Sequence, residues 1–430
     1  MKTLVSWVAI AVILSGLSFG QTGYKVLWSF GGAGVGDGSQ PLGKLIADKN
    51  GNLYGTTSSG GTTAPPNCVP AGCGTVFELS SSPDGTWTEN VIYTFCSNYS
   101  GFSCLDGSTP LAGLVFDSAG NLFGTTSAGG GPCPAGEIGC GTVFKLSPTN
   151  HPGVAWTETV LYSFCLNESS ECPDGGVPYA KLAFDASGNL YGTTIGGGSK
   201  GGGTVFELSP SMSNWTETVL YNFCSLGDPP APCPDGYAPE SGVTFDEVGN
   251  IYGTTLAGGS KKFLGGGVVY RLSPSQQGWA ETILYAFTNS QTGSAPRGGV
   301  NFGKTGNLYG TTASGGLNTM GGVFQLSPKS PKEITFSFAG NNGAGPFAGV
   351  LIDPRNDSLY GTTAYGGTND SGVVFKIAGK KENVLYSFTG GTDGAQPSTA
   401  LIADRSGNLY GTTKTGGSSN NGVVFEITQK

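Results

Sequence analysis

The sequence has little histidine and little charge, and both shortages exclude classes of protein. Asp, Glu, Lys and Arg make up only 12% of the 430 residues. His151 is the single histidine, which argues against a histidine metal centre and against a Ser-His-Asp hydrolase site. The sequence also lacks heptads and long apolar helical stripes, whereas glycine accounts for 76 residues. This composition favours turn-rich β structure over helices.

The charge that is present is mostly negative. The formal net charge is -8 and the isoelectric point is about 4.8. No run of basic residues interrupts this acidic background. Binding to nucleic acid or to an anionic membrane surface is therefore not expected.

The first 20 residues have the features of a signal peptide. Lys2 supplies a positive charge, residues 4–14 form an apolar run, and Ser18 and Gly20 form a small-x-small site before Gln21. An eleven-residue apolar run is too short to cross a bilayer, and no second such run follows. A retained N-terminal anchor is the alternative. We expect cleavage, secretion of residues 21–430, and no membrane insertion afterwards.

Ten cysteines fall into five close pairs. The pairs are Cys68 with Cys73, Cys96 with Cys104, Cys133 with Cys140, Cys165 with Cys172, and Cys224 with Cys233. An even number, local spacing and a signal peptide predict five small disulfide loops in an oxidising compartment. A metal site is the alternative, but the short paired spacing and the histidines of such sites are missing.

One heptapeptide motif, Gly-Asn-Leu-Tyr-Gly-Thr-Thr or a near copy, recurs seven times. The copies start at Gly51, Gly120, Gly188, Gly249, Gly306, Asp357 and Gly407. A short strand A precedes each copy, the copy itself forms strand B, and an apolar strand C and an aromatic strand D follow. The repeats begin near residues 44, 113, 181, 242, 299, 349 and 400. Each repeat therefore predicts a four-stranded unit.

Strand D of the last repeat is found at the other end of the chain, in residues 24–30. Such a permuted start suits a ring, because the first strand then completes the last unit and removes an exposed edge. Repeat spacings of 50 to 69 residues fit a propeller blade and are long for a β-helix, which is the alternative. The sequence predicts an all-β protein, a single seven-bladed β-propeller over residues 21–430, and we expect a monomer.

The loops between strands D and A share the pattern Asp-Gly-x-x-Pro. Its acidic residues are Asp37, Asp106, Asp174, Asp235 and Asp393, and Thr292 and Asn342 take their place in the other two copies. Because these loops lead to the channel-lining strands, their five carboxylates are candidate ligands for calcium. The alternative is an Asx turn that begins each Asp-Gly bend.

Function is expected where the repeats differ. Copy-specific side chains near the starts of the A strands are Lys44, Tyr179, Lys181, Tyr237, Glu240 and Arg297. Aromatic and charged groups at a channel mouth predict a site for a sugar or another small polar ligand, and merely solvated charges are the alternative. The strand order places all five cysteine loops on this same long-loop face, where binding usually resides.

The repeat also resembles a known family. The motifs that carry the resemblance are Gly-Asn-Leu-Tyr-Gly-Thr-Thr, Gly-Gly, Gly-Thr-Val-Phe-Glu-Leu-Ser-Pro and Trp-Thr-Glu-Thr-Val-Leu-Tyr-Ser-Phe. They are similar to the GloVer tandem repeat of bacterial "choice-of-anchor" proteins, and the similarity extends over residues 24–428. The resemblance implies a bacterial extracytoplasmic protein and brings no catalytic residues. Members are often followed by a sorting anchor. This chain ends at Lys430 after its last predicted strand, so we expect free secretion.

Three functions remain open at this point. The leading hypothesis is an extracellular binding propeller for carbohydrate or a cell-surface protein. The alternative is a carbohydrate-active or lactone-active enzyme that uses acids on the loop face, although no pair of acids stands out as catalytic. A purely structural extracellular protein is the third. Propellers host many chemistries, so the fold alone does not decide between them.

Overall fold

The computed structural model describes most of the chain after residue 22. The described residues are 23–61, 68, 70–131, 133, 140–151, 154–166, 172–212, 214–226, 232–260, 265–287, 290–327 and 330–429. The predicted signal peptide lies outside them. Within these ranges the regular structure is β, apart from the 3-10 turns Ala33–Val35 and Ser290–Thr292. No helix in these ranges has the length and hydropathy needed to cross a membrane.

Seven antiparallel sheets have four strands each in the order A-B-C-D. The A strands are Ile46–Ala47, Val115–Phe116, Ala183–Phe184, Thr244–Phe245, Val300–Phe302, Leu351–Ile352 and Ile402–Ala403. The B strands are Leu53–Thr57, Leu122–Thr126, Leu190–Gly196, Ile251–Thr254, Leu308–Thr312, Leu359–Thr363 and Leu409–Thr413. The C strands are Thr75–Ser81, Thr142–His151, Thr204–Pro210, Val268–Ser275, Gly322–Ser327, Val373–Ala378 and Val423–Thr428. The D strands of blades 1 to 6 are Trp87–Thr94, Val154–Ser163, Trp215–Asn222, Gly278–Ala286, Ser330–Ser337 and Lys381–Ser387.

Blade 7 takes its D strand from the other end of the chain. Strand Gly23–Ser29 pairs antiparallel with Val423–Thr428, with Tyr24 opposite Ile427 and Ser29 opposite Val423. This pairing confirms the seven-bladed propeller and the predicted closure of its ring. The A strands are only two or three residues long. The segment before each one accepts a hydrogen bond from the preceding blade.

The loops on one face carry further short pairings. Gly38–Ser39 pairs with Ser59–Gly60, and Tyr99–Ser100 pairs with Ser103–Cys104. Gly176–Pro178 adds a fifth strand to blade 3. The D–A and B–C loops are thus held to one another at the rim of this loop face.

Phenyl rings join each blade to the next. The phenylalanine after strand D packs on the aromatic ring of strand C in the following blade, with ring centroids 5.0 to 5.3 Å apart. The pairs are Phe30 with Phe77, Phe95 with Phe144, Phe164 with Phe206, Phe223 with Tyr270, Phe287 with Phe324, Phe338 with Phe375, and Phe388 with Phe425. The repeated aromatic run of strand D therefore builds the core between blades, as such rings bury large apolar areas.

The first threonine of each Thr-Thr doublet also links neighbouring blades. Its hydroxyl donates to a backbone carbonyl in the segment before the next A strand, at 2.5 to 3.4 Å. The bonds run from Thr56 to Ala112, Thr125 to Ala180, Thr193 to Ser241, Thr254 to Pro296, Thr311 to Ala348, Thr362 to Thr399, and Thr412 to Pro41. Seven such bonds fix the inner wall of the ring.

Candidate ligand-binding channel

A cavity of about 710 Å³ lies on the axis of the ring. All seven blades contribute to it the residue that follows the proline of the D–A loop. This mouth ring consists of Leu42, Leu111, Tyr179, Glu240, Arg297, Phe347 and Ser398. These seven equivalent positions hold six residue types, which include an acid, a base, two aromatic residues and leucine. The scaffold is therefore symmetric, whereas the mouth of its channel is not.

A second ring lies two residues further along each A segment. This inner ring consists of Lys44, Gly113, Lys181, Gly242, Gly299, Gly349 and Ala400. Its glycines allow close contact between blades. A Cβ atom on Gly113 would lie 2.5 Å from the carbonyl oxygen of Lys44, and one on Gly242 would lie 2.6 Å from that of Lys181. Two lysines therefore extend from a wall that is otherwise built of glycine and alanine.

An ion pair and aromatic rings occupy one side of the mouth ring. The Arg297 guanidinium lies 3.2 Å from a Glu240 carboxylate oxygen, and the Glu240 side chain is only 13% exposed. Burial raises the pKa of Glu240, and the charge of Arg297 partly offsets this. Arg297 also lies over the Phe347 ring, 5.3 Å from its centroid. Tyr365 packs edge-on against Phe347 at 5.9 Å and is 43% exposed.

The opposite charges of Glu240 and Arg297 cancel, so the net positive charge of the channel comes from its lysines. Burial lowers the pKa of Lys44 to about 8, and the nearby charge of Lys181 contributes to this shift. Burial also lowers the pKa of Lys181. The hydroxyl of Tyr179 is in turn held protonated, because burial and the Glu240 carboxylate raise its pKa. The lining therefore combines hydroxyl and cationic donors with exposed aromatic faces.

The structure brings together five of the six residues proposed from the sequence. Lys44, Tyr179, Lys181, Glu240 and Arg297 all line the channel. Tyr237 instead lies within its D–A loop, where it pairs with the backbone of Ala257.

Phe347, Tyr365 and Lys414 are among the lining residues that sequence reasoning missed. Phe347 could have been found by aligning the D–A loops on their prolines, since it occupies the position of Tyr179. Tyr365 and Lys414 follow B strands, and the repeat pattern gives no sign that these positions turn towards the axis.

The five loop aspartates hold their own loops. The Asp106 carboxylate accepts from the Tyr93 hydroxyl at 2.7 Å and from the Ser97 amide at 2.9 Å. Asp174 and Asp393 accept in the same way from the preceding tyrosine and from a loop amide. Asp235 does so from Tyr221 and Ser225, and Asp37 accepts from the amides of its own loop and from the Trp28 indole. Most of these donors precede the aspartate, so the carboxylates tie the loop back to strand D instead of forming the Asx turn considered from the sequence. Calcium binding stays a prediction.

Four of these aspartates also face a glutamate from strand D of the next blade, which the sequence analysis did not identify. The pairs are Asp37 with Glu89, Asp106 with Glu158, Asp174 with Glu217, and Asp235 with Glu281. Burial, together with the neighbouring aspartate, raises the pKa of each glutamate to about 8. At neutral pH each of these glutamates is therefore mostly protonated. The signal in the sequence was the glutamate that recurs two residues after the tryptophan of strand D.

All five predicted disulfides are confirmed. They are not isolated from one another. The Cys73 and Cys104 sulfurs lie 4.0 Å apart, and those of Cys140 and Cys172 lie 3.9 Å apart. Each of these contacts joins a B–C loop to a D–A loop, so neighbouring disulfides brace the same corner of the loop face.

The fold and this channel define a β-propeller with one asymmetric, ligand-sized cavity. The chain belongs to the Gloeobacter/Verrucomicrobia repeat family, whose profile matches residues 133–332 and 261–430. This match confirms the family resemblance expected from the repeat words. No curated protein matches the sequence.

Two solved structures are similar in shape. One is a proposed 6-phosphogluconolactonase from Bacteroides uniformis, with 12% identity, a TM-score of 0.46, and coverage of 79% of this chain and 83% of that chain. The other is a proposed oxidoreductase (glucose dehydrogenase) from Thermus thermophilus, with 13% identity, a TM-score of 0.44, and coverage of 95% and 100%. At these values neither structure bears on the chemistry of this channel.

Proposed function

We propose that this chain is an exported bacterial protein whose propeller binds a saccharide in its central channel. The observation that carries the proposal is the asymmetric mouth ring, where Tyr179, the Glu240–Arg297 ion pair and Phe347 surround one cavity. Its volume of about 710 Å³ falls within the usual range for small-molecule sites. The predicted signal peptide and the five disulfides support export.

A saccharide suits these groups for two reasons. The C–H faces of a sugar ring are apolar and pack on aromatic rings such as Phe347 and Tyr365. Sugar hydroxyls both donate and accept hydrogen bonds, and the mouth offers the Tyr179 hydroxyl, the Glu240 carboxylate and the Arg297 guanidinium. Glu240 is the single carboxylate of the described lining, whereas hydrolysis by an acid pair needs two. This geometry favours binding over turnover.

The test is retention of the mature, oxidised protein on a panel of plant and microbial polysaccharides, with mass spectrometry of the supernatant. Retention without released fragments is expected. Fragments would make the protein an enzyme, and no retention on any polysaccharide would overturn the proposal.

Matched variants locate the site. Tyr365→Ala and Phe347→Ala should each weaken retention about tenfold, which corresponds to about 1.4 kcal/mol. Tyr99→Ala is the control, because Tyr99 is a similarly exposed aromatic residue (49%) on a D–A loop that does not line the channel. Equal losses in all three variants would place binding outside the channel.

A further inference from the structure

The inner ring contains two lysine side chains whose charges no described residue neutralises. Within the described part of the chain, the Nζ atoms of Lys44 and Lys181 take part in no hydrogen bond and no ion pair. Both side chains extend from the same position of blades 1 and 3 into the same cavity. Placing two like charges in a partly desolvated space is unfavourable unless an anion joins them.

The channel is also positive within an acidic protein. Its described lining contains the cations Lys44, Lys181, Arg297 and Lys414 against the single carboxylate of Glu240. The chain as a whole has a net charge of -8. A cleft lined by one sign of charge concentrates ions of the opposite sign. The acidic outer surface does not cancel this local potential, because exposed charges are screened within about 10 Å at ordinary salt.

We infer that the ligand of this channel is an acidic saccharide, whose carboxylate binds between the ammonium groups of Lys44 and Lys181. The inference rests on the proposed function and narrows its ligand class.

The spacing of the two rings fits such a ligand. Tyr179 and Lys181 are two residues apart on the segment that leads into strand A of blade 3, with a bend at Ala180 between them, and both side chains line the cavity. A pyranose ring packed against the mouth ring can then direct its carboxylate towards the lysines of the inner ring, because both rings line one cavity. Lysine ammonium groups act as point charges and do not require the two-pronged geometry that arginine imposes on its anion.

Binding of tri-galacturonate and of neutral tri-galactose is measured by titration calorimetry on the full mature protein. The acidic trisaccharide should bind at least tenfold more tightly, and raising the salt concentration should reduce this preference. Lys44→Gln and Lys181→Gln should each lower affinity for tri-galacturonate about tenfold and lower that for tri-galactose much less. Lys49→Gln is the matched control, since Lys49 is exposed in an A–B turn on the opposite face.

The outcomes separate the two proposals. If both trisaccharides bind equally and the lysine variants change nothing, the anion inference fails while saccharide binding stands. If inorganic phosphate or sulfate displaces tri-galacturonate at equal concentration, the lysines bind small anions in general, and the assignment to an acidic saccharide is wrong. If neither trisaccharide binds, both proposals fail for this sugar class. Melting temperatures check folding, and Lys44→Gln should melt no lower than the unsubstituted protein, because it removes an unpaired desolvated charge.

Discussion

The Thr412 hydroxyl donates a 3.0 Å hydrogen bond to the carbonyl oxygen of Pro41, from the last blade to the first. The Thr399 hydroxyl lies 2.9 Å from the same Thr412 oxygen. All of these groups are buried or nearly so. Thr412 thus joins blade 7 to the segment that leads into blade 1.

Thr412→Val should destabilise the protein by about 1 to 3 kcal/mol, because the buried Pro41 carbonyl loses its hydrogen bond while the shape of the side chain is kept. Urea denaturation measures the change. Thr428→Val is the control, because the Thr428 hydroxyl bonds to the Gly23 carbonyl at 3.2 Å in an exposed position. Its cost should be below about 0.5 kcal/mol. Equal losses of stability in the two variants would mean that the hydrogen bond of Thr412 contributes little.

The acid pairs between blades predict a pH dependence of stability. The pKa of Glu158 is about 8 in the folded state, against an ordinary value of 4.5. Between these values the folded state holds a proton that the unfolded state has released, so stability should fall as pH rises from about 4.5 to about 8. Glu158→Gln replaces the titrating carboxyl group with a neutral amide. The variant should lose stability less steeply over this range, by up to about 1 kcal/mol per pH unit after allowance for partial solvation.

Unfolding of both proteins at pH 5.5, 6.5 and 7.5 measures the slope. Glu247→Gln removes an exposed carboxylate from an A–B turn and serves as the control, for which we expect an unchanged slope. An unchanged slope in Glu158→Gln would show that this glutamate is already ionised at neutral pH.

The sequence predicted the ring and most of the channel because both depend on repetition. Seven copies of one motif predicted the seven blades, and the strand at residues 24–30 predicted the closure of the ring. Differences between the copies then pointed to Lys44, Tyr179, Lys181, Glu240 and Arg297. Position within a repeat decides which way a side chain points, so a residue that differs at an axial position is visible without a structure.

Contacts between blades could not be predicted in the same way. The pairing of Glu158 with Asp106 joins two repeats at different positions of the unit, and no spacing in the sequence indicates it. The sequence does contain one sign of this pairing between blades. Where the loop has Asn342 instead of aspartate, the glutamate of the next blade, Glu382, receives an amide hydrogen bond at 3.5 Å. Recognising this requires knowing which positions meet across the blade interface.

Tyr270 is the one tyrosine among the seven aromatic residues that strand C places between blades. Its hydroxyl is fully buried, and among the described residues it has no hydrogen-bond partner. An unsatisfied buried hydroxyl is unfavourable, so Tyr270→Phe should stabilise the protein by about 1 to 2 kcal/mol. Phe206→Tyr at the matching position of blade 3 should destabilise it by a similar amount. Destabilisation by Tyr270→Phe would indicate that a water molecule satisfies the hydroxyl.

The neighbouring disulfides of blade 1 predict that cysteines can exchange partners. Cys68→Ala combined with Cys96→Ala leaves Cys73 and Cys104, whose sulfurs lie 4.0 Å apart. They should form a new bond between the two loops, detectable by peptide mapping under non-reducing conditions. This bond spans 31 residues and should stabilise by about 3.7 kcal/mol, against about 2 kcal/mol for the five-residue loop of Cys68–Cys73. Cys96→Ala combined with Cys133→Ala leaves Cys104 and Cys140, which belong to separate clusters and should remain thiols. Free thiols in both variants would show that the two loops are held further apart than their sulfur contact indicates.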